Sequence, residues 1–504
     1  MKVLVILGHP RKDSYNAELA DAYISGAMDA GVEIEYLALA DLKFEMNVLT
    51  PSPQNQFMEA DLIRSQELIK WADHLVFVFP TWWGNMPALL KGFIDRVFIP
   101  GFAFYEIQPD AFKKLLSPRT AQLIITMDTP VIIDRLVNGA PSIKSIRNAT
   151  LKFCGVTPVR KIIFSPIKHS SLEKKQKWIQ QVYELGKNLE NGVLSPWEKI
   201  WKNVSPWLQA VRFQFYPMTF FAYGIGSLIY SHIFDQFNLQ VFILGYVVLF
   251  LIEVITVFSN DYFDKTTDRL NKYFSTFSGG SRVLVNGLIS DAQIKKAMII
   301  LFILGCIVTI VLGFLSLSAF HHVVLTIIAL FLIAISYTAP PLKFSYNGLG
   351  ELVVGFTHSF AVILCGFIFQ GGNITNPTPW IVGIPLFFSI VPAIIMAGIP
   401  DYYADKQAGK GTLVVRMGMK NATFLAIIFV CHSFISAIII NNFSAFEIFF
   451  GDMIYLSIAH AILLIYMLLN FIGKREKPKR IDGIMALALM FILWFVLIPF
   501  FRLV

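Results

Sequence analysis

The chain has 504 residues, of which 55% are hydrophobic and only 15% charged, and its formal net charge is +8. Its mean hydropathy of +0.61 is high for a soluble protein and favours a membrane protein. The basic residues lie between apolar segments and form no basic domain, so we expect no nucleic acid partner. The four cysteines show no metal-ligand spacing, and we expect inert thiols.

Residues 1 to about 190 alternate short apolar runs with helix-like patterns. The first run is too short for a signal peptide and breaks at Gly8 and Pro10, as a buried strand would. Further strands are predicted at VEIEYLAL, HLVFVFP, AQLIITM and KIIF. Apolar strands separated by helices indicate a parallel sheet covered on both faces. We therefore predict a soluble α/β domain with a doubly wound parallel sheet.

The segment from His9 to Asn16 links the first predicted strand to the first helix. Backbone N–H groups and the helix dipole favour phosphate at such a junction, and ligands of doubly wound sheets bind at the carboxyl ends of the strands. Ser14 and Asn16 can donate to a phosphate or cap the helix. The sequence has no GxGxxG motif, so the Rossmann fingerprint is absent.

Residues 80–104, PTWWGNMPALLKGFIDRVFIPGFAF, carry a more specific pattern. With GHPRKDSYN and LKFCGVTPVRKIIF, they resemble the flavodoxin-like NAD(P)H:quinone reductases over roughly residues 1–190. The resemblance implies bound FMN or FAD, with NAD(P)H as the reductant. The residues that it places at the cofactor are His9, Ser14, Asn16, Pro80, Thr81, Trp82, Trp83, Gly84, Asn85, Thr126 and Asp128.

Two features of this resemblance remain open. Trp82 and Trp83 suit the flat face of a flavin, but core packing is the alternative for both. After Pro130 the chain reads VIIDRLVNG, where members of the family often have aromatic residues or a Tyr/His pair. This departure bears on hydride transfer to a quinone more than on flavin binding.

The character of the chain changes after Gly192. The segment SPWEKIWKNVSPWLQAVRFQFYP is rich in aromatic and basic residues, which suits an amphipathic segment at a membrane surface. A simple linker is the alternative. We assign residues 191–216 to this segment.

From Pro217 onward, nine apolar runs approach the ~20 residues that a membrane-spanning helix needs. The runs are 217–234, 239–258, 297–317, 321–337, 351–369, 380–399, 422–440, 453–472 and 483–501. Lys and Arg occur in all the even-numbered loops between these runs and in none of the odd-numbered ones. By the positive-inside rule, the even loops and the N-terminal domain lie in the cytoplasm. We predict an all-α bundle of nine transmembrane helices, residues 217–504, in the cell (inner) membrane.

Acidic residues follow two of these runs at helical spacing. The second run ends in NDYFDKTTD, which contains Asn260, Asp261, Asp264 and Asp268, and the sixth is followed by Asp401 and Asp405. Residues four apart on a helix have Cβ atoms about 5 to 6 Å apart, so carboxylates at this spacing repel unless a cation lies between them. Acidic residues at the end of a solvated helix are the alternative explanation.

The chemistry of these residues favours magnesium and diphosphate. Oxygen ligands of this kind favour Mg²⁺, which keeps open positions for phosphate oxygens. Basic residues on the same predicted side can complete the neutralisation of a diphosphate. They are Arg282, Lys343, Lys410 and Arg416.

NDYFDKTTD and DYYAD resemble the two aspartate-rich motifs of the UbiA-type intramembrane aromatic prenyltransferases. The resemblance covers roughly residues 213–504 and includes SYTAPPLKFSYNGLGEL and GKGTLVVRMG. Within the family the chain looks closest to 1,4-dihydroxy-2-naphthoate polyprenyltransferases. That similarity rests on SGGSRVLVNGLIS, residues 278–290, which differs from the RPxxxG pattern of other branches.

The resemblance implies a reaction between a polyprenyl diphosphate and an aromatic or quinone acceptor. One Mg²⁺ would be held by Asn260 and Asp264 with Asp268 nearby, and a second by Asp401 and Asp405. Tyr337 matches a family tyrosine beside the isoprenoid, where its ring can stabilise the allylic cation. The alternative for Tyr337 is an interfacial tyrosine.

Together these patterns predict a bifunctional membrane enzyme of prenylquinone, menaquinone-type, biosynthesis. One alternative is a membrane transporter with a redox-sensing regulatory domain. Against it, the noted acids gather at one end of the bundle, whereas transporters usually bind near the midplane. A second alternative is a prenyltransferase with a flavin-free docking domain.

Overall fold

A computed structural model describes residues 1–108, 111–275, 277–474 and 481–504. The chain forms two compact units, Met1–Ile200 and Trp201–Val504. We call them the first unit and the second unit. Four basic residues that contribute to the predicted orientation, Arg475, Lys477, Lys479 and Arg480, lie outside the described residues.

The first unit contains a parallel sheet, as the sequence predicts. In its described residues, five strands pair in the order β2-β1-β3-β6-β7. The strands of the unit are β1 (Lys2–Leu7), β2 (Glu33–Ala38), β3 (His74–Pro80), β4 (Phe104–Gln108), β5 (Ala111–Lys114), β6 (Thr120–Thr126) and β7 (Val159–Phe164). The antiparallel pair β4-β5 forms a separate two-stranded sheet that the sequence patterns did not indicate.

Helices cover both faces of this sheet. They are α1 (Tyr15–Asp29), α2 (Ala60–Trp71), α3 (Ala88–Val97), α4 (Val131–Leu136), α5 (Pro141–Ile143) and α6 (Leu172–Lys187). Successive side chains of β1 point to opposite faces, so Leu4 and Ile6 join one buried cluster while Val3 and Val5 join the other. Burial on both faces explains why the strands are continuously apolar.

The predicted amphipathic segment is largely helical and forms α7 (Pro196–Val211). The helices that follow are α8 (Tyr216–Phe234), α9 (Leu239–Phe263), α10 (Lys265–Leu270), α11 (Asp291–Leu315), α12 (Phe320–Ile335), α13 (Gly350–Phe356), α14 (Val362–Gln370), α15 (Pro377–Ala397), α16 (Tyr402–Gln407), α17 (Leu413–Asn441), α18 (Glu447–Phe450), α19 (Leu456–Gly473) and α20 (Asp482–Leu503). One π-helical turn, Thr357–Ala361, joins α13 to α14.

Seven helical segments of the described chain are long and apolar enough to cross a membrane. They are Leu239–Phe263, Asp291–Leu315, Gly350–Gln370, Pro377–Ala397, Leu413–Asn441, Asp452–Gly473 and Asp482–Leu503. The two other predicted runs are also helical, as the 19-residue α8 and the 16-residue α12. A membrane bundle is therefore present, while the count of nine spans remains a prediction.

The helices of the second unit pack around an aromatic and aliphatic core. Its most buried side chains include Phe367, Phe369, Phe491 and Phe495. Helices α8 and α14 approach each other at glycines: a Cβ on Gly226 would lie only 1.8 Å from the carbonyl oxygen of Ile363. Small residues at helix contacts are typical of membrane bundles, because they let backbones come close.

Candidate functional site

The acidic motifs lie at the ends of helices, and their four-residue spacing is helical. The Asp264 N–H donates to the Asn260 carbonyl at 2.8 Å, and the Asp268 N–H donates to the Asp264 carbonyl at 2.8 Å. The Asp405 N–H donates to the Asp401 carbonyl in the same way, at 2.8 Å. Each motif therefore presents its oxygen-bearing side chains one turn apart.

A cavity of about 320 Å³ in the second unit brings the two motifs together, and we call it the acidic cavity. The predicted residues that line it are Asn260, Asp264, Asp268, Tyr337, Asp401, Asp405 and Lys410. Its other walls are mostly apolar and include Leu249, Ile252, Ile390 and Ile394. The cavity thus joins a polar end to a hydrocarbon-like interior.

Lys410 lies between the two acidic motifs. Its Nζ is 2.7 Å from Asp264 Oδ2, and both side chains are almost fully buried. The Tyr346 hydroxyl donates to the other oxygen, Asp264 Oδ1, at 2.8 Å. Burial alone would lower the pKa of Lys410, but the charges of Asp264 and Asp405 outweigh it and raise that pKa. The lysine is therefore a fixed positive charge in this site.

The neighbouring carboxyls are held in an environment that disfavours their charge. Burial raises the pKa of Asp405 to about 7 and that of Asp401 to about 6, although Lys410 opposes both shifts. Burial, with the repulsion of Asp264, Asp261 and Asp401, also raises the pKa of Asp268 well above its ordinary value. Such crowded carboxyls gain most from a bound cation.

The donor set fits magnesium. Asn260 Oδ1 is buried and has no hydrogen-bond partner in the described part of the chain, and the other candidate ligands are carboxylates. In the described part of the chain, no three His, Cys, Asp or Glu side chains gather closely enough to hold one ion. Each ion would therefore take few protein ligands and keep positions for water or phosphate oxygens, as Mg²⁺ usually does.

Close packing also shapes the site around Asp268. A Cβ on Gly280 would lie 2.1 Å from Asp268 Oδ2, and the φ of Gly280 is +69°. Both observations require glycine in this loop. The Asn271 side-chain amide, three residues after the first acidic motif, donates to Asp401 Oδ1 of the second at 2.5 Å.

Asp261 and three of the predicted diphosphate ligands lie outside the lining of the acidic cavity. Asp261 accepts hydrogen bonds from the backbone N–H and the hydroxyl of Ser281. Arg282 donates to the Asp268 carbonyl at 2.7 Å and stacks 4.0 Å from the Phe274 ring centre. These contacts make Asp261 and Arg282 supports of the loop that borders the cavity.

The other two basic residues contact residues close to them in the sequence. Lys343 lies 5.1 Å from the ring centre of Tyr346, and Arg416 donates from Nε to the Gly411 carbonyl at 2.9 Å. Arg416 is exposed, and neither residue lines the cavity. A role for either in diphosphate binding remains a prediction.

Sequence reasoning missed several residues that line the cavity. Arg212 and Asn271 are polar and close to the acidic motifs, and Arg212 adopts a left-handed backbone with φ 59°. Glu253 and His358 lie deeper, within predicted membrane runs. A sequence signal existed for this pair, because ionisable residues inside such runs mark functional positions.

In the first unit, the predicted flavin residues meet at the carboxyl ends of β1, β3 and β6. The His9 ring contacts Trp82 edge-on at 5.4 Å between centroids. The Thr126 hydroxyl donates to Asn16 Oδ1 at 3.1 Å, and Ser14 caps α1 by accepting from the Ala17 N–H at 3.3 Å. The loops after three parallel strands therefore converge, as a ligand site in this fold requires.

The Trp82–Asn85 turn presents its aromatic side chains to solvent. Trp83 is fully exposed and has φ 50°, while Trp82 is 45% exposed. Gly84 has φ 72°, and Trp82 and Asn85 exchange backbone hydrogen bonds of 2.8 and 3.0 Å. A left-handed tryptophan held on a rigid turn is uncommon, and such strain is concentrated at functional sites. Because both tryptophan rings are exposed, core packing does not explain them, and their flat faces are available to a flavin.

The remaining predicted flavin residues border the same edge. Pro80 ends β3, and the Thr81 hydroxyl lies 3.3 Å from that of Ser142. Asp128 accepts from the Lys168 N–H at 2.7 Å. The divergent segment after Pro130 forms α4 and leaves Ile132 and Leu136 exposed. Exposed apolar side chains of α4 therefore follow the predicted flavin residues in this unit.

The fold and the sites define a class: a multi-pass membrane protein in which a doubly wound α/β unit precedes a helical unit with an acid-lined cavity. The UbiA prenyltransferase family matches residues 218–496, more than half of the chain. The chain belongs to this family. A flavodoxin-like fold family matches residues 1–185.

Relatives of the first unit are oxidoreductases by name. The chain is 34% identical over 120 residues to an uncharacterized NAD(P)H oxidoreductase, YcaK, of Escherichia coli, a match covering 23% of this chain and 61% of the relative. It is 25% identical over 226 residues to the ribosyldihydronicotinamide dehydrogenase [quinone] of Mus musculus, covering 39% and 96%. Among solved structures, Smu.1420 from Streptococcus mutans UA159 is 30% identical, with TM-score 0.35, covering 37% of this chain and all of that one.

Proposed function

We propose that this protein transfers a polyprenyl group from its diphosphate to an aromatic acceptor and also reduces quinones with NAD(P)H through a flavin. The main support for prenyl transfer is that both aspartate-rich motifs and Lys410 line one cavity. Family membership supports the same reaction.

The residues of the acidic cavity suit the departure of diphosphate. Asn260, Asp264, Asp401 and Asp405 would hold Mg²⁺, with Asp268 nearby, and Mg²⁺ would neutralise the charge that develops on the leaving group. Lys410 would donate to a diphosphate oxygen in exchange for its present contact with Asp264. The apolar walls would exclude water from the allylic cation, and the Tyr337 ring would face it.

The first unit would supply reducing equivalents. The mouse relative is named a quinone-linked dehydrogenase, and the loops at the carboxyl edge of the sheet fit a bound FMN or FAD. The flavin would carry hydride between NAD(P)H and a quinone. The loop of residues 9–16 would hold its phosphate, and the Trp82–Asn85 turn would lie against the ring system.

Several finer features belong to this proposal. The acceptor is a quinone precursor of the 1,4-dihydroxy-2-naphthoate type, and the pathway is menaquinone-type. Helices α8 and α12 complete a bundle of nine spans, with the first unit in the cytoplasm. The reductase keeps the acceptor as the electron-rich hydroquinone, or reduces the prenylated product.

A Mg²⁺-dependent prenyl transfer assay on the full chain tests the metal assignment. Asp264→Ala and Asp405→Ala should each lower turnover by about 100-fold or more, since each removes a ligand for the charge on the leaving group. Asp291→Ala is the matched control, because Asp291 pairs with Lys265 outside the cavity lining. Full activity in both cavity variants would overturn the assignment.

A further inference from the structure

Two ionisable side chains lie inside the bundle and have no part in the diphosphate site. Glu253 is on α9 and His358 is on the π-helical turn between α13 and α14, and both line the acidic cavity. Single π-helical turns are frequent at functional sites. Ionisable groups inside membrane helices are costly, so a function is the first explanation for them.

The contact between these two side chains leaves hydrogen-bonding capacity unused. His358 Nε2 lies 3.7 Å from Glu253 Oε1, which is too long for a hydrogen bond. Only 12% of the Glu253 side chain is exposed, and its Oε2 atom is buried with no hydrogen-bond partner among the described residues. His358 is oriented by its other nitrogen, Nδ1, at 3.1 Å from the Val354 carbonyl. A carboxylate oxygen is therefore available to a ligand in the cavity.

The pair lies on the same wall as the first acidic motif but deeper. Glu253 precedes Asn260 by seven residues, which is two turns, or about 10 Å along the helix. Thr256 and Val257 line the cavity between them. A ligand held at Glu253 would therefore extend along the wall toward the end where diphosphate is released.

Of the substrates in the proposed function, only the aromatic acceptor matches this pair. The isoprenoid chain has no hydrogen-bond donor, and covering a carboxylate with hydrocarbon would leave its charge unsatisfied. Diphosphate has its cationic partner in Lys410, which lies between the two acidic motifs. A phenolic hydroxyl, in contrast, can donate a charge-assisted hydrogen bond to the free oxygen.

We infer that Glu253 and His358 form the subsite that binds and orients the hydroxyl of the aromatic acceptor, an inference that rests on the proposed prenyl transfer. Glu253 accepts the hydrogen bond of the hydroxyl, and His358 positions Glu253. The hydrogen bond also raises electron density in the ring that attacks the cation. The subsite selects hydroxylated rings.

Direct binding to the detergent-solubilised full chain tests the inference without turnover. The probes are 1,4-dihydroxynaphthalene under reducing conditions and 1,4-dimethoxynaphthalene, which has the same ring but no donor. Glu253→Gln should weaken binding of the diol about 10-fold, because a neutral acceptor replaces a charged one, and leave the diether unchanged. His358→Gln should weaken diol binding less than Glu253→Gln does.

The control is Glu447→Gln, since Glu447 is exposed on α18 and does not line the cavity. Equal losses for both probes, or unchanged diol binding with a lower melting temperature, would show that the pair is structural. Prenyl transfer from farnesyl diphosphate is measured separately in the wild type. If the wild type transfers no prenyl group, but Glu253→Gln still weakens binding of the diol and not of the diether, the proposed function is overturned and the hydroxyl subsite stands.

Discussion

At the scale of single residues, Lys410 determines the charge of the acidic cavity. It forms a buried ion pair with Asp264, whose second oxygen is occupied by Tyr346. Removing one partner of a buried pair leaves an uncompensated charge. In the proposed reaction, the incoming diphosphate and its metal ions replace that pairing, so the lysine is ready to move from a carboxylate to a phosphate oxygen.

We expect Lys410→Met to raise the KM for polyprenyl diphosphate by about 10- to 100-fold, because a desolvated charged hydrogen bond is lost. Initial rates against donor concentration at saturating Mg²⁺ measure this. Lys406→Met is the control, since Lys406 is exposed on the adjacent helix α16. An unchanged KM in Lys410→Met would remove the lysine from the diphosphate site.

At the scale of helices, the bundle depends on close contacts between backbones. Gly226 on α8 faces Ile363 on α14, and Gly366 on α14 faces Tyr223 on α8, so each helix places a glycine against the other. Reciprocal contacts of this kind bring the two axes together over more than one turn. Helix α8 therefore belongs to the packed bundle, although it is not among the seven helical segments of the described chain that are long and apolar enough to cross a membrane.

Gly226→Ala should lower the melting temperature of the purified protein. The new Cβ would lie 1.8 Å from the Ile363 carbonyl oxygen, and overpacking of this kind costs about 1–3 kcal/mol. No described atom outside its own turn of α11 lies within 4 Å of a Cβ on Gly305, so we expect Gly305→Ala to be neutral or slightly stabilising. Thermal unfolding in one detergent compares the two, and equal shifts would contradict the packing argument.

At the scale of the whole molecule, one chain carries two candidate sites, and the proposed function has them act on related compounds. A covalent tether raises the effective concentration of one site at the other without any new contact. Because electrophilic attack needs an electron-rich ring, the proposed order of events is reduction of the quinone, then prenylation of the hydroquinone. The alternative order, reduction of the prenylated product, predicts no dependence of transfer on NAD(P)H.

Ser14→Asp separates the two activities. Aspartate is as good a helix cap as serine, so α1 should form, but its charge would repel the flavin phosphate. We expect the purified variant to contain at least about 10-fold less flavin than the wild type, measured as the flavin that each protein releases, since a like charge opposes the phosphate. NAD(P)H should then no longer support prenylation of an oxidised naphthoquinone, while the pre-reduced acceptor is still prenylated. Wild-type prenylation of the oxidised acceptor without NAD(P)H would contradict the proposed order.

The local periodicity of the sequence predicts the secondary structure of both units and the helical spacing of the first acidic motif. The apolar runs of the first unit predict a parallel sheet because strands buried on both faces must be continuously apolar. The positions of the membrane helices follow from run length, and the four-residue spacing of Asn260, Asp264 and Asp268 follows from helical geometry. These properties depend on neighbours in the chain, so they can be read without a structure.

The tertiary structure alone decided which side chains meet. Lys410 pairs with Asp264 across 146 residues, and Asp261, beside Asn260 in sequence, turns instead to Ser281. Glu253 and His358 come from different helices, and only their packing places both in one cavity. A buried charge takes whichever partner the packing offers, because leaving it unpaired costs more than any local preference. Sequence patterns therefore predicted the acidic motifs, while packing determined how the cavity around them is charged.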